Sequence, residues 1–133
     1  MAQTSLIAAA AEARLKAYAP YSRFLVGAAV RDEHGAVHAG CNVENAAYPE
    51  GTCAEAGAIA AMIVGGGRRI AEAAVVGAGE ALVTPCGGCR QKLREFGAPG
   101  MLIHVCDDKG RIRRSFTLAE LLPESFGPKN LSA

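Results

Sequence analysis

Residues 53–64 read CAEAGAIAAMIV, a run of strong helix formers and small residues that is apolar nearly all round. Such a helix has no face suited to water, so the pattern predicts one buried on several sides, ended by Gly65 to Gly67. Upstream, Phe24 to Arg31 is rich in Val and Ala, Asp32 to Gly35 has turn composition, and Ala36 to Cys41 can return as the second arm of a hairpin. A polar loop, NVENAAYPEGT, joins that hairpin to the helix. Downstream, Ala73 to Gly77 reads as a short buried strand, Thr84 and Pro85 as a helix entry, and Cys86 to Phe96 as a second helix stopped at Gly97. Met101 to Cys106 is a further strand, DDKG a turn, and Arg111 to Phe116 another strand; Thr117 and Glu120 then have the spacing of a capping box.

At the N-terminus, Thr4 or Ser5 can cap a helix running to about Ala17, with Leu6, Ile7, Ala10 and Leu15 as its apolar face. The C-terminal SFGPKNLSA is too short to pack alone. Strands alternating with helices at this spacing predict an α/β domain with a mixed sheet, its first two strands antiparallel and later ones reached by helical crossovers. At 133 residues, with no internal repeat or low-complexity linker, one domain spanning 1–133 is expected.

Composition narrows the function. A net charge of +1 gives no broad basic surface for tracking phosphates, so polymeric nucleic acid is not an expected partner. The one basic cluster, Arg111, Arg113 and Arg114, alternates with Ile112 as a solvated strand edge would. Gly, Arg or Glu interrupts every apolar stretch before about 18 residues, which excludes a membrane helix. The N-terminus lacks the features of a secretory signal, and five cysteines are an odd number for a disulfide framework. Reduced thiols or metal binding, in the cytoplasm, are expected instead.

The thiols carry the chemistry. Cys86 and Cys89, in PCGGCRQ, can grip one tetrahedral metal from a helix start, with Gly87 and Gly88 letting the backbone fold tightly around it. Alone the pair is equally compatible with a redox dithiol. Cys53, also at a helix start, adds a third thiolate, with Glu55 two positions on. Three ligands leave a fourth position open, as catalytic zinc sites do, whereas structural sites close it with protein. Three thiolates on Zn²⁺ give a core of charge −1, which weakens its acidity unless helix N-termini or another donor offset it. Cys41 and Cys106 read as small buried thiols, and His34, His38 and His104 as surface or core residues without ligand spacing.

Here the chain resembles the cytidine deaminase family, through PYSRFLVGAAV, GCNVENAAYPEGTCAE, PCGGCRQ and LLPESFG in the family's order between Tyr21 and Phe126. The resemblance implies a three-layer α/β/α sandwich around a five-stranded mixed sheet, and a homotetramer with sites between subunits. It implies one Zn²⁺ per subunit on Cys53, Cys86 and Cys89, with Glu55 as proton shuttle, an arrangement zinc deaminases share. Asn42 and Glu44 resemble the pair that holds the ribose 3′-hydroxyl, Phe24 a pocket wall, and the Ala54 backbone a partner for the pyrimidine carbonyl. Tyr48 and Phe126 resemble residues that reach a neighbouring subunit's site, Phe126 stacking on the base. Many members carry Arg directly after the catalytic Glu, where this chain has Ala56; Arg90 or helix N–H groups are then expected to compensate the thiolates.

The implied reaction is hydrolytic deamination of cytidine or deoxycytidine to uridine or deoxyuridine and ammonia, by attack of an activated water on carbon 4 of the cytosine ring. Three alternatives stand beside it. The same machinery could act on another cytosine-bearing nucleoside such as blasticidin S. A nucleic-acid editing deaminase is disfavoured by the neutral charge, and a non-enzymatic structural zinc module by the open fourth position.

Overall fold

The computed structural model describes residues 2–132. Its elements are α1 (Ala2–Arg14), β1 (Val26–Asp32), β2 (Val37–Cys41), α2 (Ala54–Val64), β3 (Ile70–Gly77), α3 (Gly87–Phe96), β4 (Gly97–Cys106), β5 (Ile112–Thr117) and α4 (Leu118–Leu121). The strands form one sheet in the order β2-β1-β3-β4-β5. β1 pairs antiparallel with both β2 and β3, β4 parallel with β3, and β5 antiparallel with β4. The α/β class, the three layers and the five-stranded mixed sheet agree with the sequence reading.

Strand alternation sorts the apolar side chains to two cores. On one face, Leu6, Ile7 and Ala10 of α1 pack against Ala29, Ala74, Val76 and Cys106. On the other, Ala58, Ile59 and Met62 of α2, Leu93 of α3 and Leu118 and Leu121 of α4 cover Val30, Ala73, Ile103, Val105 and Phe116. Thr117 and Glu120 make the expected capping box.

Four boundaries differ from the sequence reading, each for a tertiary reason. α1 begins before Thr4 and stops at Arg14, leaving Leu15 exposed. Beyond it Tyr18 is drawn into extended pairing: its N–H donates to the Asn42 carbonyl and its own carbonyl accepts from Glu44 N–H. Phe24 lies outside β1 because the Asn42 side chain takes the place of the ladder there, accepting from Val26 N–H at 2.9 Å and donating to the Phe24 carbonyl at 2.8 Å. β3 begins earlier, at Ile70, and β4 follows α3 without a gap, pairing Gly97 with Ile70.

Two histidines on the sheet are held by polar partners. His104, 1 % exposed, lies between Glu72 at 2.5 Å and Ser115 at 2.7 Å, while His38 sits 2.8 Å from the buried Asp32 carboxylate. Arg111, just before edge strand β5, and Arg113 and Arg114 on it each have a partner. Arg111 bonds Asp107, Arg113 donates to the carbonyls of Gly79, Glu80 and Ala81, and Arg114 lies 4.5 Å over the Phe116 ring. No helix among the described residues is long and apolar enough to cross a membrane.

Candidate metal centre

The centre is built where α2 and α3 begin. Cys53 is the N-cap of α2 and Cys86 the N-cap of α3, both extended and without a side-chain capping bond. The packing of α2 on the sheet fixes the first of these points. At Gly40 of β2, a Cβ would fall 2.4 Å from Ala58 N and 2.6 Å from Ala54 O, so only glycine lets the first turns of α2 rest on the strand. Cys89, one turn into α3, is buried beside Leu93.

The Sγ atoms of Cys53, Cys86 and Cys89 all lie within 4.8 Å of one another, and Cys53 and Cys86 are 3.8 Å apart. Sulfurs bound at ~2.3 Å to a tetrahedral zinc are separated by about 3.8 Å along each edge. Among the described residues, no fourth His, Cys, Asp or Glu joins the cluster. The donor set therefore fits one Zn²⁺ held by three thiolates.

Electrostatics point the same way. Burial, followed by the Glu55 charge and the other two sulfurs, pushes the Cys89 thiol far up, and burial and Cys86 push Cys53 up. The backbone N–H of Cys89 is the largest influence that holds Cys86 below the ordinary thiol range. Three sulfurs this close resist becoming anions together unless a cation neutralises them. Glu55, in the first turn of α2, is 5 % exposed, and burial raises its carboxyl above the ordinary range against the hydrogen bond from Cys89.

Arg90 does not serve the sulfurs directly. Its guanidinium donates to the Pro85 carbonyl at 2.7 Å, the Leu121 carbonyl at 2.9 Å and Thr84 Oγ1 at 3.1 Å, and no sulfur is among its partners. The expected thiolate donor is thus a brace on the loop that carries Cys86, and the N–H of Cys89 is the donor that faces a sulfur. Gly87 and Gly88 also differ from expectation. Neither has a left-handed backbone, and a Cβ at Gly87 would meet nothing within 4 Å, so the tight fold does not require glycine there.

Phe24, Asn42, Glu44, Tyr48 and Phe126 lie in the segments that connect the helices and strands of the sheet. Asn42 holds Phe24 as described, and Glu44 accepts from the N–H groups of Tyr21 at 3.0 Å and Ser22 at 3.1 Å as well as from the Ser22 hydroxyl. Those bonds, the Ser22 hydroxyl first, hold the Glu44 carboxyl below its ordinary range. Phe24 is 43 % exposed, which excludes a core role. Tyr48, 75 % exposed, packs its ring 5.9 Å from Tyr21 beside a cleft also lined by Ser22, Glu44, Asn45 and Gly51. Ala54 is buried between Cys53 and Glu55. Phe126 is 56 % exposed, and its ring has no aromatic partner among the described residues.

Sequence reasoning missed Ser22, Gln91 and Arg94. Gln91 Nε2 donates to the Phe126 carbonyl at 3.0 Å and Arg94 Nε to Ser125 Oγ at 3.1 Å. The only signal available was adjacency: Gln91 closes PCGGCRQ, and Ser125 and Phe126 lie in LLPESFG.

Residues 1–105 match the family model described as the cytidine and deoxycytidylate deaminase zinc-binding region. The chain is similar to a cytidine deaminase of Sporosarcina psychrophila, 43 % identical over 96 % of this chain and 93 % of the other. It is also similar to one of Mycobacterium tuberculosis, 47 % identical over 92 % and 87 %. Among solved structures, the cytidine deaminase of Burkholderia pseudomallei superposes with a TM-score of 0.85 at 44 % identity, covering 92 % of this chain and 97 % of that one.

Proposed function

The chain belongs to the cytidine and deoxycytidylate deaminase family, and from that membership we propose how it works as a zinc-dependent hydrolase converting cytidine or deoxycytidine to the uridine counterpart and ammonia. The observation that carries the reading is the triangle of sulfurs with a tetrahedral edge and an open corner, beside a buried carboxylate on the same helix turn. Cys53, Cys86 and Cys89 would hold the zinc, which when bound would supply the acidity that lets a water lose its proton near neutral pH. The Glu55 carboxylate takes that proton and carries it to ring nitrogen 3, then takes the remaining proton of the hydroxyl now on carbon 4 and passes it to the departing amine, leaving the carbonyl of the product. Burial raises its carboxyl above the ordinary range, which favours its taking up the proton that it must then hand on. The helix N–H groups, that of Cys89 first, offset the charge of the thiolates where Ala56 offers no guanidinium.

Around the base and sugar, Asn42 and Glu44 face the ribose hydroxyl with the hydrogen-bonding capacity left after their bonds to Phe24, Val26, Tyr21 and Ser22. Phe24 walls the pocket and the Ala54 backbone meets the pyrimidine carbonyl. Tyr48 and Phe126 project to a neighbouring subunit's site in a homotetramer, Phe126 offering its π-face to the base. Their exposure supports this, as does the α2 flank, where Ala60 and Val64 are exposed and no charge occurs between Ala56 and Gly67. The chain acts as one domain in the cytoplasm, where five free cysteines remain reduced.

Glu55→Gln tests the reading. Turnover, followed by the ultraviolet change on cytidine conversion, should fall by at least ~10²–10⁴-fold with zinc still bound at one per chain. Near-normal turnover in a zinc-loaded variant contradicts the role.

A further inference from the structure

Helix α3 has two working faces. Cys89 and Leu93, one turn apart, are buried toward the core and the metal centre. Arg90, Gln91 and Arg94, spaced to share a different stripe, all reach the segment from Leu121 to Gly127. Arg90 donates to the Leu121 carbonyl, Gln91 to the Phe126 carbonyl and Arg94 to Ser125 Oγ.

That segment has little of its own to hold it. Between Leu122 and Gly127 there is neither helix nor strand, and Glu124 bends the chain with a φ of 50°, unusual for a residue with a side chain. Gly127 is buried against α3, where a Cβ would fall 2.3–2.9 Å from the Arg94 guanidinium. The Phe126 ring, one residue earlier, stands out into solvent. The arm's backbone is thus held from α3 while its aromatic ring is left free to project.

We propose that Arg90, Gln91 and Arg94 form a positioning clamp by which the metal-bearing helix sets the place of the Phe126 ring, so that nucleoside affinity depends on these side chains although none touches the reacting atoms. The inference rests on the reading of Phe126 as the residue that stacks on the base. Arg90 also braces Pro85 and Thr84, ahead of Cys86, so its removal disturbs metal retention as well. Among the described residues, the side-chain hydrogen bonds of Gln91 and Arg94 go to the arm and not to the loop before Cys86, so these two separate the effects.

The test uses the full-length, zinc-loaded protein. Gln91→Ala, Arg94→Ala and their double variant should raise KM for cytidine roughly tenfold, the scale of losing one base–aromatic stack. In the same variants kcat should stay within about twofold, as expected when only ground-state binding is lost. Zinc content should be unchanged, and amide exchange by mass spectrometry should quicken in the 121–130 segment. Gly127→Ala, which displaces the Arg94 guanidinium, should reproduce the effect without replacing either polar side chain. Unchanged exchange in the double variant overturns the clamp. Faster exchange with an unchanged KM overturns its link to binding. Phe126→Ala keeps the two claims apart: an unchanged KM there sinks the stacking role itself, whereas a raised KM in Phe126→Ala with none in the double variant sinks the clamp alone.

Discussion

The metal centre and the proposed substrate rim are held in opposite ways. At the centre, two helix starts are pressed onto the sheet by backbone packing, with Gly40 under Ala54 and Ala58, and the ligands follow from where the helices begin. At the rim, single side chains do the holding: Asn42 fastens Phe24, Glu44 fastens Tyr21 and Ser22, and Gln91 and Arg94 fasten the arm of Phe126. The centre is therefore set by backbone packing, whereas the rim rests on bonds that can be removed one at a time. If, as proposed, the centre carries the chemistry and the rim the affinity, the two should respond differently to substitution, the first in turnover and the second in KM.

Removing the metal should have the largest effect. Treatment with a strong zinc chelator, or Cys86→Ala, should abolish cytidine conversion, and zinc added back should restore the wild type alone. Cys86 is the sulfur already drawn toward the thiolate by the Cys89 N–H, so its loss removes the best-prepared ligand. Full activity after complete zinc removal, checked by metal analysis, would remove the distinction between centre and rim.

Gly40→Ala attacks the centre from outside it. A Cβ 2.4 Å from backbone nitrogen has no flexible neighbour to push aside, so the first turn of α2 must move by a substantial fraction of an ångström. Misplacement on that scale costs ~10²-fold in rate, and overpacking costs about 1–3 kcal/mol in stability. The expected signature in steady-state kinetics is a fall in kcat with KM little changed. A variant that folds, binds zinc and raises only KM would show that α2 is not the element that fixes Glu55.

Much of the centre was legible because its determinants are local. Cys53, Glu55, Cys86 and Cys89 lie at helix starts that helix formers and breakers mark in the sequence, and the apolar run from Ala73 to Gly77 marked the buried strand that sends Ala73 to one core and Ala74 and Val76 to the other. The rim was less legible because its bonds join distant positions. Nothing near Glu44 signals a bond to Ser22, 22 residues away, or near Gln91 one to the Phe126 carbonyl, 35 residues on. Arg90 shows the same limit in reverse: adjacency to Cys89 suggested a sulfur partner, but the guanidinium extends past it to three oxygens from Pro85, Leu121 and Thr84. α1 likewise stopped early because Tyr18 had a pairing partner around Val43 that local helix propensity could not register.

Glu44→Gln should give the smallest effect, and it probes the rim through pH. The glutamine keeps one acceptor for the Tyr21 and Ser22 N–H groups but puts an amide nitrogen, a donor, where the Ser22 hydroxyl donates. KM for cytidine should rise by about tenfold at neutral pH, the effect of a charge-assisted bond to a substrate hydroxyl made weaker, with kcat preserved. Stability adds an independent reading with a fixed sign. The folded carboxyl sits below the ordinary 4.5, so its contribution is complete above that pH and fades as pH falls through the folded value. The melting-temperature difference between wild type and variant should be a few degrees, level from neutral pH down to about 4.5, and should shrink in stronger acid. Any zinc loss in acid is common to both proteins and drops out of that difference. A difference that instead grows as the pH falls, or a loss confined to kcat, would place Glu44 with the centre and leave the rim with one fastening fewer.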